Sequence, residues 1–116
     1  MKLITAIIRA EKLNEVIEAL ANHLVHGLTV TEVRGFGRQF GQPVPGTDHD
    51  LGLPRSVALL PKVRLDLVVP DDDAEALAEV VTKHARTGEI GDGKLWVSEV
   101  ASVQRVRTGD RDLAAL

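Results

Sequence analysis

Thr87 to Lys94 reads TGEIGDGK, with three glycines and a lysine in eight residues. Gly88, Gly91 and Gly93 free the backbone to gather its N–H groups, and Lys94 adds a point charge at the exit. Backbone concavities of this kind receive anions, phosphate above all. The spacing is not that of a Walker loop, and no helix opens behind it. The same residues also suit a plain glycine-rich turn from helix to strand. Arg105 and Arg107 stand two apart, and in an extended chain both would leave the same face. Paired guanidinium groups clamp phosphate, while a solvated edge strand that resists aggregation has the same composition. Arg34, Arg38 and Gln39 cluster around Gly35-Phe36-Gly37, where two glycines allow a close backbone approach. Lys62 stands where the following long segment returns, and antiparallel pairing of the flanking strands would bring it beside Gln39.

Other chemistries find less support. His23, His26, His49 and His84 show no metal spacing, and Asp48-His49-Asp50 is a weak ligand set. Ser56, Ser98 and Ser102 lack a histidine and carboxylate arranged for nucleophilic catalysis. Only Glu89 and Asp92 stand near the glycine loop as carboxylates, so no general base is evident and a non-enzymatic role is expected. There are no cysteines, which removes disulfides, cysteine-bound zinc and thiol catalysis. The net charge of −3 supplies no basic field for nucleic acid or an anionic membrane. Phe36, Phe40 and Trp96 are the only aromatics, too few for a base-stacking platform. No apolar run approaches the roughly 18 residues that span a bilayer. The opening MKLITAII lacks a small-residue cleavage site, so a cytoplasmic location without membrane insertion is the expectation.

A scaffold must hold these groups. The 116 residues fit one domain, 1–116, with 44% hydrophobic residues. Lys2 to Arg9 predicts a strand apolar on both faces, with Leu3, Thr5 and Ile7 on one and Ile4, Ala6 and Ile8 on the other. Glu11 to Leu24 has the helical period, with Leu13, Val16, Ile17, Leu20 and Leu24 in one stripe and Gly27 as terminator. Leu28 to Arg34 and Lys62 to Val69 read as strands, the second alternating cleanly. Asp71 to Asp73 supply an N-cap and a negative helix start. The stripe Leu77, Val80, Val81, His84, Ala85 follows. Lys94 to Val100 is a fourth strand, Val103 to Arg107 a short fifth extended piece, and the tail from about 108 to 116 is expected to be loose. The order is α+β, βαββαβ, the split arrangement called ferredoxin-like. The first strand needs cover on its second face and no element remains to supply it, so an oligomer with inward-facing sheets is expected.

The segments LTVTEVRGFGRQFG, LPKV, ARTGEIGDGKLWV and RVRTG, with the opening MKLITAIIR, closely resemble the PII signal-transduction proteins. The resemblance covers nearly the whole chain outside the long segment. It implies a homotrimer with nucleotide clefts between subunits and a T-loop over about 37–59 that docks on a target, a membrane transporter or a metabolic enzyme. It implies ATP or ADP contacts at Ile7, Thr29, Gly35, Gly37, Arg38, Gln39, Asp66, Val68, Gly91, Asp92, Gly93 and Lys94. Arg105 and Arg107 would reach across from a neighbouring subunit. Gln39 would help hold Mg2+ with ATP, and Gln39 and Lys62 would receive 2-oxoglutarate. An alternative within the family is a second anion other than 2-oxoglutarate, such as bicarbonate, with control of a transporter or of carbon metabolism. Three departures stand out. No tyrosine is present for uridylylation or adenylylation, the loop is longer and carries Pro43, Pro45 and Pro54, and Arg9-Ala10-Glu11 stands where Lys-Pro-Phe is usual.

Overall fold

The computed structural model describes residues 1–37 and 59–116. Arg38, Gln39, His49 and most of the expected 37–59 loop therefore lie outside the described residues. Strand β1 is Lys2–Arg9, β2 Thr29–Gly35, β3 Leu60–Val69 and β4 Lys94–Glu99. Helix α1 is Leu13–Asn22, entered through a 3-10 turn at Ala10–Lys12, and α2 is Asp71–Ala85. All strand pairs are antiparallel, in the order β2-β3-β1-β4. Among the described residues, two helices on a four-stranded antiparallel sheet make an α+β fold compatible with the ferredoxin-like expectation.

Alternation decides which face is covered. Ile4, Ala6 and Ile8 of β1 and Val63, Leu65, Leu67 and Val69 of β3 form one core with Val16 and Leu20 of α1 and Leu77, Val81 and Ala85 of α2. Burying one such aliphatic side chain is worth about 1.5–3 kcal/mol. The other face carries Leu3, Thr5 and Ile7 from β1, and among the described residues no helix covers it. β3 begins earlier than expected and includes Pro61, which pairs with Arg34 of β2. Its missing N–H is tolerated because β1 joins β3 only from Lys62 onward, so Pro61 has a neighbour on one side alone.

Five local expectations are corrected. Leu24 does not extend the α1 stripe, and Gly27 does not end the helix. Leu24 N donates to Ala21 O and Val25 N to Leu20 O, both at 3.1 Å, while Leu24 itself sits at φ 62. That pair of bonds is a Schellman ending with a leucine in the left-handed position normally given to glycine. Its side chain is 77% exposed, whereas Val25 turns back onto the core. Asp71–Asp73 do not cap α2. They form its first turn behind Pro70, where their charge meets the positive helix end without a side-chain cap. Val103–Arg107 is not a strand: Gln104 makes one bridge to Arg111, and the chain turns over 106–108. Thr108 and Gly109 reverse the chain before pairing can extend, with Gly109 N donating to Arg105 O at 2.8 Å. The tail is not loose either. Asp112 N donates to Val103 O at 2.8 Å, and Asp112–Ala115 forms a 3-10 turn.

A non-glycine residue in the left-handed region costs about 1–2 kcal/mol. Leu24→Gly should therefore raise unfolding stability by roughly 0.5–1 kcal/mol in urea titrations, after the entropy cost of glycine. A loss of stability would show that the exposed leucine is held by a contact elsewhere.

Candidate functional site

The glycine loop closes the end of the sheet where β1 stops and β4 begins. Gly88, Gly91 and Gly93 all have positive φ, at 90°, 107° and 94°. Gly93 also lies against β1: a Cβ there would fall 1.7 Å from Ile7 O. Glycine is thus required for two reasons at one position, dihedral and space.

Asp92 organises the loop from within. Its Oδ2 accepts from the N–H of Thr87 and of Gly88, each at 2.8 Å, and its Oδ1 accepts from the Thr87 hydroxyl and from Arg9 Nε at 2.9 Å. The Thr87 hydroxyl, then Arg9 and the two backbone N–H groups, hold this carboxyl well below the usual carboxylate range against the opposing effect of burial. Two cations fasten the loop from outside. Arg9 Nη2 donates to Ile90 O at 2.7 Å, and Lys62 Nζ donates to Gly91 O at 2.7 Å. Burial, and then the charge of Arg9, push the Lys62 ammonium below its ordinary value.

A cleft of about 740 Å³ opens beside the loop. It is lined by Ile7, Gly35, Gly37, Lys62, Gly91, Asp92, Gly93 and Lys94, with Phe36, Ile90 and Trp96 adding apolar surface. The remaining expected residues fall elsewhere. Thr29, Asp66 and Val68 line a second cleft of about 820 Å³, together with Val103 and Leu116. There the Asp66 carboxylate accepts from Thr5 Oγ1 at 2.8 Å and Arg64 Nε at 2.9 Å, and the Arg64 contact leads in holding its carboxyl low. Arg105 Nη2 donates to Leu116 O at 3.3 Å, and its Nη1 lies 3.4 Å from Asp110 Oδ2. Arg107 is exposed in the turn after it, so the two arginines do not leave one strand face side by side. Lys62 and Val68 are six residues apart on β3, about 20 Å of strand. The expected site therefore divides between the two ends of the sheet.

Arg9 and Thr87 are the contributors that sequence reasoning missed. The available signal was a charged residue ending an otherwise apolar strand, but its partner shows only once the register sets Arg9 opposite Lys62.

Fold and loop together define a small α+β domain that offers a glycine-built backbone concavity at a sheet end, with a cation at its exit. The chain belongs to the nitrogen regulatory protein P-II family, whose model matches residues 1–110. It is 48% identical over 116 residues to nitrogen regulatory protein GlnK of Escherichia coli (strain K12), covering 100% of both chains. It is equally similar, over the same extent, to nitrogen regulatory protein P-II 1 of Escherichia coli (strain K12) and of Salmonella typhimurium. The family is one of signal-transduction regulators.

Two outcomes check this geometry. Gly93→Ala should cost about 1–3 kcal/mol of stability, because either the loop or β1 must move. A folded, equally stable variant would contradict the close approach. For Asp92 the folded pKa lies below the unfolded one, so its carboxylate stabilises in full above the ordinary range near pH 4 and less as pH falls through it. The stability gap between wild type and Asp92→Asn in urea should be about 1–3 kcal/mol at neutral pH and should narrow towards about pH 3. A gap independent of pH would contradict it.

Proposed function

We propose that this protein is a trimeric sensor of adenine nucleotide whose clefts lie between subunits. Gly91, Gly93 and Lys94, with Arg38, would receive the ATP or ADP phosphates beside Ile7, Gly35 and Gly37. Thr29, Asp66 and Val68 of a neighbouring copy would face adenine and ribose, and its Arg105 and Arg107 would approach the phosphates. The observation that carries this reading is the division of the expected site between two clefts at opposite ends of β3. A second copy is what would bring one end of the sheet to the other. The uncovered sheet face, which holds Leu3, Ile7 and Trp96, would meet its counterparts at the centre of the assembly.

The geometry of the loop supports the phosphate reading. Its three positive-φ glycines expose backbone, and the Gly93 position has no room for a side chain. Lys62 stands near the start of β3 and Gly35–Gly37 at and just after the end of β2, so the described residues on either side of the 38–58 segment border the same cleft. A ligand there would bias that segment's arrangement by its differential affinity for the two states. With ATP, Gln39 would help hold Mg2+, and Gln39 and Lys62 would receive 2-oxoglutarate. The segment would then engage or release a target protein, a transporter or a metabolic enzyme. Its proline-marked, tyrosine-free sequence sets it apart from the family's modifiable loop.

ATP or ADP at about 100 times its Kd should stabilise the wild type by roughly 2.7 kcal/mol in thermal unfolding. Lys94→Ala and Arg105→Ala should each lose most of that gain. A wild type indifferent to both nucleotides would overturn the reading. Calorimetric titration of the Mg-ATP-loaded protein with 2-oxoglutarate should release or absorb heat. Silence there, with a response to bicarbonate, would replace the second ligand while keeping the first.

A further inference from the structure

Arg9 and Lys62 are direct cross-strand partners on β1 and β3. Like charges so placed repel. The repulsion is answered in part by Glu11, whose Oε1 lies 3.8 Å from Arg9 Nη1, and in part by one short stretch of the glycine loop. Arg9 Nη2 takes Ile90 O, Lys62 Nζ takes Gly91 O, and Arg9 Nε takes the Asp92 carboxylate. Three consecutive residues are thus drawn towards one pair of cations. Arg9 is well placed to hold them, being only 14% exposed along its side chain.

A trans peptide carries its C=O and N–H on opposite sides, and no peptide bond among the described residues is cis. When Ile90 O and Gly91 O turn towards the cations, the N–H groups of Gly91 and Asp92 turn away from them. Asp92 meanwhile ties up the N–H groups of Thr87 and Gly88 at the loop's entrance. The donors left to present are those at the loop's centre and exit, next to Lys94. Without the two cations the carbonyls of residues 90 and 91 would be as free to turn outward, and they would repel an anion.

We infer that Arg9 is a positioning residue for phosphate recognition: with Lys62 it fixes the peptide planes of the glycine loop so that N–H groups face the ligand. The inference rests on the nucleotide reading of this loop. It requires the arginine fork specifically, because one side chain must serve a backbone carbonyl and a carboxylate together. A lysine would keep the charge and serve one of them well.

The test compares ATP with adenosine, which lacks the phosphates, in wild type, Arg9→Ala and Arg9→Lys. Affinities are read from the fluorescence of Trp96, the only tryptophan, which lines the cleft, and from calorimetry. Arg9→Ala should lower the ratio of adenosine Kd to ATP Kd by roughly 10- to 100-fold, leaving adenosine binding little changed. Arg9→Lys should fall between. If Arg9→Ala does not fold, the ratio of Arg9→Lys carries the test. Lowered melting temperatures with an unchanged ratio would overturn the positioning role. A wild type that binds ATP no better than adenosine would overturn the phosphate reading of the loop and this inference with it.

Discussion

The register of β1 between β3 and β4 is the constraint on which the other features hang. It sets Ile4, Ala6 and Ile8 against the helices, and by alternation sends Leu3, Thr5, Ile7 and Arg9 to the opposite face. It also makes the site. Thr5 lies between Asp66 and Trp96, Ile7 between Arg64 and Lys94, and Arg9 opposite Lys62. A slip of one residue would turn the core outward and take Arg9 away from the loop at once. Stability and the geometry of the candidate site are therefore specified by the same pairing. That shared dependence explains how a polar residue as deeply buried as Thr5 is tolerated: its hydroxyl finds the Asp66 carboxylate across the strand.

Regular elements were legible because their burial is one-sided and periodic. The alternation of β3 and the three-and-four spacing of α1 both follow from facing one core. The glycine loop was legible because positive φ leaves a composition signature. Leu24 shows the limit of that signature. The helix ends in the left-handed position regardless of the residue there, so the glycine signal at Gly27 points three residues too late. Val103–Arg107 failed for another reason. Alternating Val and Arg suits a strand, but Thr108-Gly109 turns the chain before a partner strand can form. The joint use of Arg9, Lys62 and Asp92 was not legible at all, since it depends on three segments meeting at one sheet end. Arg38 and Gln39 fall among residues 38–58 and keep the status that the family resemblance gives them.

The division of the expected ligand contacts into two clefts changes how a single chain should be viewed. On the proposed reading each end of the sheet would supply half of the site, with backbone donors and Lys94 at one end and Thr29, Asp66 and the Arg105 segment at the other. Membership of the P-II family gives the arrangement a regulatory context. The proposed assembly would make every cleft a joint product of two copies, so nucleotide occupancy and assembly would be thermodynamically linked. It would also place the base of the 38–58 segment within reach of whatever fills the cleft.

Complementation between two defective subunits tests that central claim most directly. Lys94→Ala and Arg105→Ala chains, co-expressed and purified as mixed assemblies, should regain tight ATP sites at junctions where the first contributes its intact Arg105 and the second its intact Lys94. Calorimetry of the mixed assemblies should then show a population of sites with wild-type affinity that neither parent possesses. If the mixed assemblies bind ATP no better than the separate parents, the nucleotide site is not shared between subunits and the account is wrong.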